Sequence, residues 1–137
     1  MGNPITRSNC NIYRSDTPNR ANAERKSFMI RTSLTRLVDE QLALARAATS
    51  GRSAHTVHGG HDRSLHQTLI ALTAGQRLQE HDSPGEATLQ VLRGRIRLNA
   101  GEISTEAVIG DLLVIPDARH SVEAIEEAGI LLTVARR

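Results

Sequence analysis

From Leu34 to Ala48 the apolar positions recur every three or four residues, at Leu34, Leu37, Val38, Leu42, Ala45 and Ala48. That spacing puts them on one face of a helix predicted over residues 33–49. Thr32 or Ser33 can cap its start and Gly51 can end it. The apolar face is thin, which suits covering one side of a sheet or a partner subunit. After Gly51 the period drops to two. Ala54–His58, Leu65–Leu72, Arg77–Glu80, Ala87–Arg93, Arg95–Leu98, Ser104–Val108, Asp111–Ile115, His120–Ala124 and Ile130–Ala135 read as strands. Gly59-Gly60-His61-Asp62, Ala74-Gly75, Ser83-Pro84-Gly85 and Asn99-Ala100-Gly101 read as turns between them. Within Ala87–Arg93, Ala87, Leu89 and Val91 share one face, and Glu86, Thr88 and Gln90 the other. Asp111–Ile115 is almost continuously apolar and is expected to be a buried strand. No strand alternates with a helix after residue 51, which argues against a doubly wound α/β fold. The pattern predicts an all-β domain over residues 52–137, an antiparallel β-barrel or jelly roll, preceded by one N-terminal α-helix within residues 29–51.

Residues 1–28 show no apolar period and are rich in Asn, Arg, Ser, Thr and Pro, so they read as a disordered arm. Charge sharpens that division. Residues 1–36 hold seven Lys/Arg against Asp16 and Glu24, a balance of +5, so the net +2 of the chain leaves −3 for residues 37–137. The arm is basic and the domain is not. A basic arm can meet nucleic acid or anionic lipid, but a solvated tail is the simpler reading. Tyr13 and Phe28 are the only aromatics. The core must therefore be aliphatic, and base stacking, the usual means of holding single-stranded nucleic acid, is missing. With a single helix there is no helix-turn-helix either, and nucleic acid is not an expected partner. Cys10 stands alone, so no intrachain disulfide is possible. No apolar stretch approaches the roughly 20 residues a membrane helix needs, and no apolar signal segment opens the chain. A cytoplasmic protein with no membrane association is predicted.

Six histidines, His55, His58, His61, His66, His81 and His120, fall within residues 55–120. The first four sit in or beside a Gly-rich edge segment and read as solvated or as polar strand ends. His81 and His120 belong to two ordered blocks, Gly75–Gly94 and Gly110–Ala124. These blocks resemble the paired signatures of the cupin superfamily. The first signature runs glycine, five residues, histidine, any residue, histidine, three or four residues, glutamate, six residues, glycine. Gly75, His81 and Gly94 match it, while Ser83 stands at the second histidine position and Ala87 at the glutamate position. Glu86 is one residue off, and on a strand one residue changes the face. The second signature runs glycine, five residues, proline, any residue, glycine, two residues, histidine, three residues, asparagine. Gly110 and Pro116 match, Ala118 takes the glycine position, His120 comes one residue early, and the asparagine position falls on Ala124 or Ile125.

The resemblance spans residues 65–135 and implies a cupin barrel, a homodimer, and a small ligand or one divalent metal (Fe, Zn, Mn or Ni) held near His81 and His120. Glu86 could join that set if a bulge at Ser83-Pro84-Gly85 shifted its register; Glu80 and Gln90 are other donors within reach of the pattern. Two imidazoles alone fall short of the three protein ligands usual at catalytic zinc and of the two histidines and a carboxylate common at non-haem iron. His120 shares a strand face with Val122 and Ala124 and is expected to point inward, with Glu86 or His81 as its partner. The candidate ligand-binding residues are thus His81, Glu86 and His120, with His81 and His120 as metal ligands. The expected function is small-ligand binding in the barrel. A metal-dependent oxygenase or isomerase is the first alternative and a ligand-sensing regulator the second. Arg95 and Arg97 share one strand face, which reads as a solvated basic stripe or a place for an anion to dock.

Overall fold

The structure, a computed structural model, describes residues 29–81 and 85–136, with the backbone alone at Glu80 and His81. The basic arm 1–28 lies outside the described residues. Residues 35–136 belong to one compact unit. Its elements are helix α1 (Leu34–Ala47) and strands β1 (Arg52–His58), β2 (Leu65–Leu72), β3 (Arg77–His81), β4 (Glu86–Arg93), β5 (Arg95–Ala100), β6 (Ile103–Val108), β7 (Leu112–Val114), β8 (His120–Ala124) and β9 (Ala128–Ala135). The strands form a five-stranded sheet in the order β1-β2-β9-β4-β7 and a four-stranded sheet in the order β3-β8-β5-β6. Every pairing is antiparallel. From β2 onward the chain passes back and forth between the two sheets, as in a jelly roll.

The alternation read from the sequence decides which residues fill the space between the sheets. Ala87, Leu89 and Val91 of β4 are buried, as are Ile96 and Leu98 of β5, Val122 and Ala124 of β8, and Ile130 and Val134 of β9, all in one cluster. It contains no aromatic ring, so its volume is filled by branched aliphatic side chains meeting across two pleated faces. The opposite face of the five-stranded sheet carries a second apolar layer. Leu69 and Leu131 are cross-strand partners there, with Ala71 beside Gly129. Leu37, Val38, Leu42 and Ala45 of α1 are buried too. Val38 lies where a side chain on Gly129 would project, so the helix rests directly on the β2–β9 pair. A bidentate pair from Arg46 to Glu127, with both bonds at 2.7 Å, pins its last turn. Arg93 to Asp39 at 3.0 Å and a hydrogen bond from Ser53 to Gln41 pin the middle.

Two expectations change. β7 is an edge strand, and it is not buried as a whole. Leu112 and Val114 are 61% and 72% exposed, because α1 covers the sheet over β2 and β9 but leaves the face of β7 open. Asn99 and Ala100 belong to β5, paired with Ser104 and Ile103, so the turn begins at Gly101. Among the described residues no helix is long and apolar enough to cross a membrane.

The outer face of the four-stranded sheet resolves the arginine stripe. Arg77, Glu123, Arg97 and Glu106 are successive register partners across β3, β8, β5 and β6. Charge therefore alternates from edge to edge. Arg97 donates to Glu106 at 2.7 Å and lies 3.5 Å from Glu123, while Arg95 lies 3.2 Å from Glu106 and 3.6 Å from Glu126. Hydrogen bonds from Arg97 and Arg95 hold the Glu106 carboxyl below the usual glutamate range. The stripe is neutralised within its own sheet, and no anion is needed to balance it.

Candidate functional site

His120 opens β8 directly after the turn Pro116-Asp117-Ala118-Arg119, which is tightened by a bond from the Ala118 amide to the Pro116 carbonyl at 2.8 Å. His120, Val122 and Ala124 lie on the inner face of the sheet, and His120 is only 2% exposed. Its Nδ1 donates to the Ala118 carbonyl at 3.0 Å. That donation fixes the ring plane and, in the neutral ring, leaves the lone pair on Nε2. One partner is thus a carbonyl two residues back along the chain, a contact that strand-face arithmetic does not reveal.

The Cα of His81 is the register partner of His120 across the β3–β8 ladder. This placement depends on an irregularity. Leu78 pairs with Val122, two residues beyond His120, yet three residues separate Leu78 from His81. A bulge between Leu78 and His81 absorbs the odd residue. Without it, His81 would fall out of step with His120.

Glu86 is elsewhere. It opens β4 in the other sheet, paired with Ala135, and it is exposed. The register runs without a shift from Glu86↔Ala135 to Ala87↔Val134, so β4 is not re-registered at its start. Ala87, 3% exposed, holds the inward position, and a methyl group stands where the resemblance implies a carboxylate. Gln90 likewise shares the outward face with Glu86 and Thr88. Of the three ligand candidates, the fold brings His81 and His120 to one place and leaves Glu86 on the outside of the neighbouring sheet.

Among the described residues, no three His, Cys, Asp or Glu side chains converge as a metal site would require. His120 has the anchored ring typical of a ligand. Among the described side chains, the inward position on β4 is aliphatic and supplies no donor toward it.

His55 and His58 lie exposed on the edge strand β1. His61 is exposed as well. His66 is half-buried on β2, paired with Val134, and its Nε2 donates to the Arg63 carbonyl at 2.8 Å. Both histidines line a cavity of about 490 Å³ with Asp62, Arg63, Ser64 and Arg136. Neither Glu86 nor His120 lines it. Sequence reasoning missed this group because Arg63 and Arg136 lie at opposite ends of the barrel sequence. Pairing of β2 with β9 joins them, and the Arg136 amide donates to the Ser64 carbonyl at 2.7 Å.

No protein-family model and no curated protein matches this chain. Solved structures do. An RmlC-like cupin from Desulfovibrio desulfuricans is 27% identical, with a TM-score of 0.54 over 61% of this chain and 81% of that one. A cupin superfamily protein from Desulfitobacterium hafniense is 14% identical, with a TM-score of 0.58 over 63% of this chain and 78% of that one. A variant of salicylate 1,2-dioxygenase from Pseudoaminobacter salicylatoxidans is 21% identical, with a TM-score of 0.59, and 73% of this chain matches 32% of that protein.

Proposed function

Because this chain has the fold of the cupin superfamily, we propose that it binds a small organic ligand at the end of the barrel marked by His81 and His120. The observation that carries the reading is the buried imidazole of His120. It sits on the inner face with its Nδ1 proton committed to the Ala118 carbonyl. A polar ring buried among aliphatic side chains costs stability unless its hydrogen bonds are made. Its placement at a strand end, beside the register position of His81, suits a group that orients a ligand. The ring would offer a polar edge to a ligand hydroxyl or amide. The aliphatic walls formed by Val122, Leu98 and Leu78 would take its apolar part. No proton transfer or bond cleavage is assigned.

Calorimetric melting of the wild type and His120→Gln against a library of small polar metabolites tests this. A compound that raises the melting temperature of the wild type, and loses that effect in a folded His120→Gln, supports the site. Equal affinity in both proteins refutes it.

The pairing of His81 with His120 also favours a second reading, a bound divalent metal. Elemental analysis would find about one Fe, Zn, Mn or Ni per chain, lost in His81→Ala and in His120→Ala. No metal in untagged, chelator-free protein would remove that reading.

The proposal includes a homodimer, formed by a second copy on the open face of β7. Ile109, Leu112 and Val114 are 59%, 61% and 72% exposed at a sheet edge. Such an edge is a ready template for a matching edge. Val114→Lys is expected to shift sedimentation from dimer to monomer, and a wild type that sediments as a monomer rejects the arrangement.

A further inference from the structure

We propose that the cavity formed by His61, Asp62, Arg63, Ser64, His66 and Arg136 is an anion-binding site for a small organic molecule bearing a carboxylate or phosphate group. The proposal is independent of the His120 site, since the two share no residue.

Charge carries the argument. Arg46, Arg77, Arg93, Arg95 and Arg97 each have a carboxylate partner. Among the described residues Arg52, Arg63 and Arg136 have none; Arg52 donates to the Arg77 carbonyl, while Arg63 and Arg136 line one cavity. Asp62 lines it too, and no ion pair joins it to either guanidinium. With two arginines and one aspartate the lining carries a net charge of +1, and a ligand oxyanion would balance it and accept paired N–H bonds, the geometry guanidinium suits best.

The backbone is built to hold this arrangement. The Arg63 amide donates to the Gly60 carbonyl at 3.1 Å, closing a tight turn. The Arg63 carbonyl receives the His66 ring at 2.8 Å. On the far side, Arg136 is tied through its amide to Ser64. Both arginines are thus fixed at the Cα while their side chains reach solvent, and the Ser64 hydroxyl adds a neutral donor. The cavity, of about 490 Å³, is open to solvent. Asp62 sets the selectivity. Its carboxylate opposes a highly charged ligand and accepts a bond from a hydroxyl or ammonium group.

Isothermal titration with inorganic phosphate and with succinate, at constant ionic strength, tests the site and separates its two ligand chemistries. Saturable one-site binding of at least one probe is expected. Arg63→Gln and Arg136→Gln should each weaken it about tenfold or more. Asp62→Asn should tighten it, because a repelling charge is removed. Arg52→Gln, at an exposed arginine outside the cavity, should leave it unchanged. All four residues are at the surface, and melting curves would verify that each variant folds. Absence of saturable binding of both probes overturns the proposal. So does binding that survives the Arg63→Gln/Arg136→Gln double variant. Lost binding in that double variant with intact binding at the His120 site, or the reverse, distinguishes the two sites.

Discussion

Replacing Gly94 by alanine should cost this protein about 3 kcal/mol, whereas the same replacement at Gly101 should cost about 1 kcal/mol. Both glycines have positive φ, 76° and 62°, a region that an L side chain enters at a cost of about 1 kcal/mol. They differ in the space around them. Nothing lies within 4 Å of a Cβ placed on Gly101. A Cβ on Gly94 would overlap the carbonyl oxygen of Glu127 and lie 2.8 Å from its carbon and 3.0 Å from the Cα of Ala128. These are backbone atoms and cannot rotate aside. Gly94 turns the chain from β4 in one sheet to β5 in the other, and the Glu127 segment is the turn from β8 to β9. Separating them strains the bonds from the Ile125 and Glu126 amides to the Arg95 carbonyl, at 2.9 and 3.2 Å. Losing one such bond and leaving its groups poorly paired costs about 1–3 kcal/mol. The entropy lost by the unfolded chain on going from glycine to alanine is common to both variants and cancels in the comparison. Urea denaturation followed by far-ultraviolet circular dichroism is the appropriate assay, because the chain has no tryptophan to report by fluorescence. Equal losses in the two variants would refute the reasoning, since they would show that the contact with Glu127 carries no energy.

Leu69→Ala should destabilise by about 2–5 kcal/mol in the same assay, because Leu69 is fully buried between the β2–β9 pair and α1. Acid should weaken the fold through Glu106 and Glu127. Arginine hydrogen bonds hold both carboxyls below their ordinary value, so their stabilisation is complete above the unfolded glutamate pKa of about 4.3 and is lost as pH falls through the folded values. Glu106→Gln should flatten the stability-versus-pH curve below that point, and a curve of unchanged slope would remove Glu106 as a contributor. Raising salt should weaken the alternating Arg77–Glu123–Arg97–Glu106 ladder only slightly, since these groups are solvent-screened already. A melting temperature falling steeply with added sodium chloride would contradict this.

The period of the apolar residues determined a great deal about this protein. The shift from a spacing of three and four to a spacing of two after Gly51 separates α1 from the strands, and β2 and β8 run between the residues the pattern names. Alternation alone puts Ala87 inward and Glu86 outward, because a side chain's face depends only on its place in its own strand. The inward position of His120 follows in the same way. What remained was decided by pairs of strands. Whether an apolar strand such as β7 is covered depends on how far α1 reaches across the sheet. Whether Arg95 and Arg97 form a basic patch depends on Glu106 and Glu123, which the register brings opposite Arg97 from β6 and β8. The alignment of His81 with His120 rests on a bulge that leaves no mark in composition. The cavity of Arg63 and Arg136 exists because β2 and β9 pair from end to end. Local periodicity encodes which way each side chain points, while charge balance, coverage and sites depend on which distant residues meet, and only tertiary packing selects those partners.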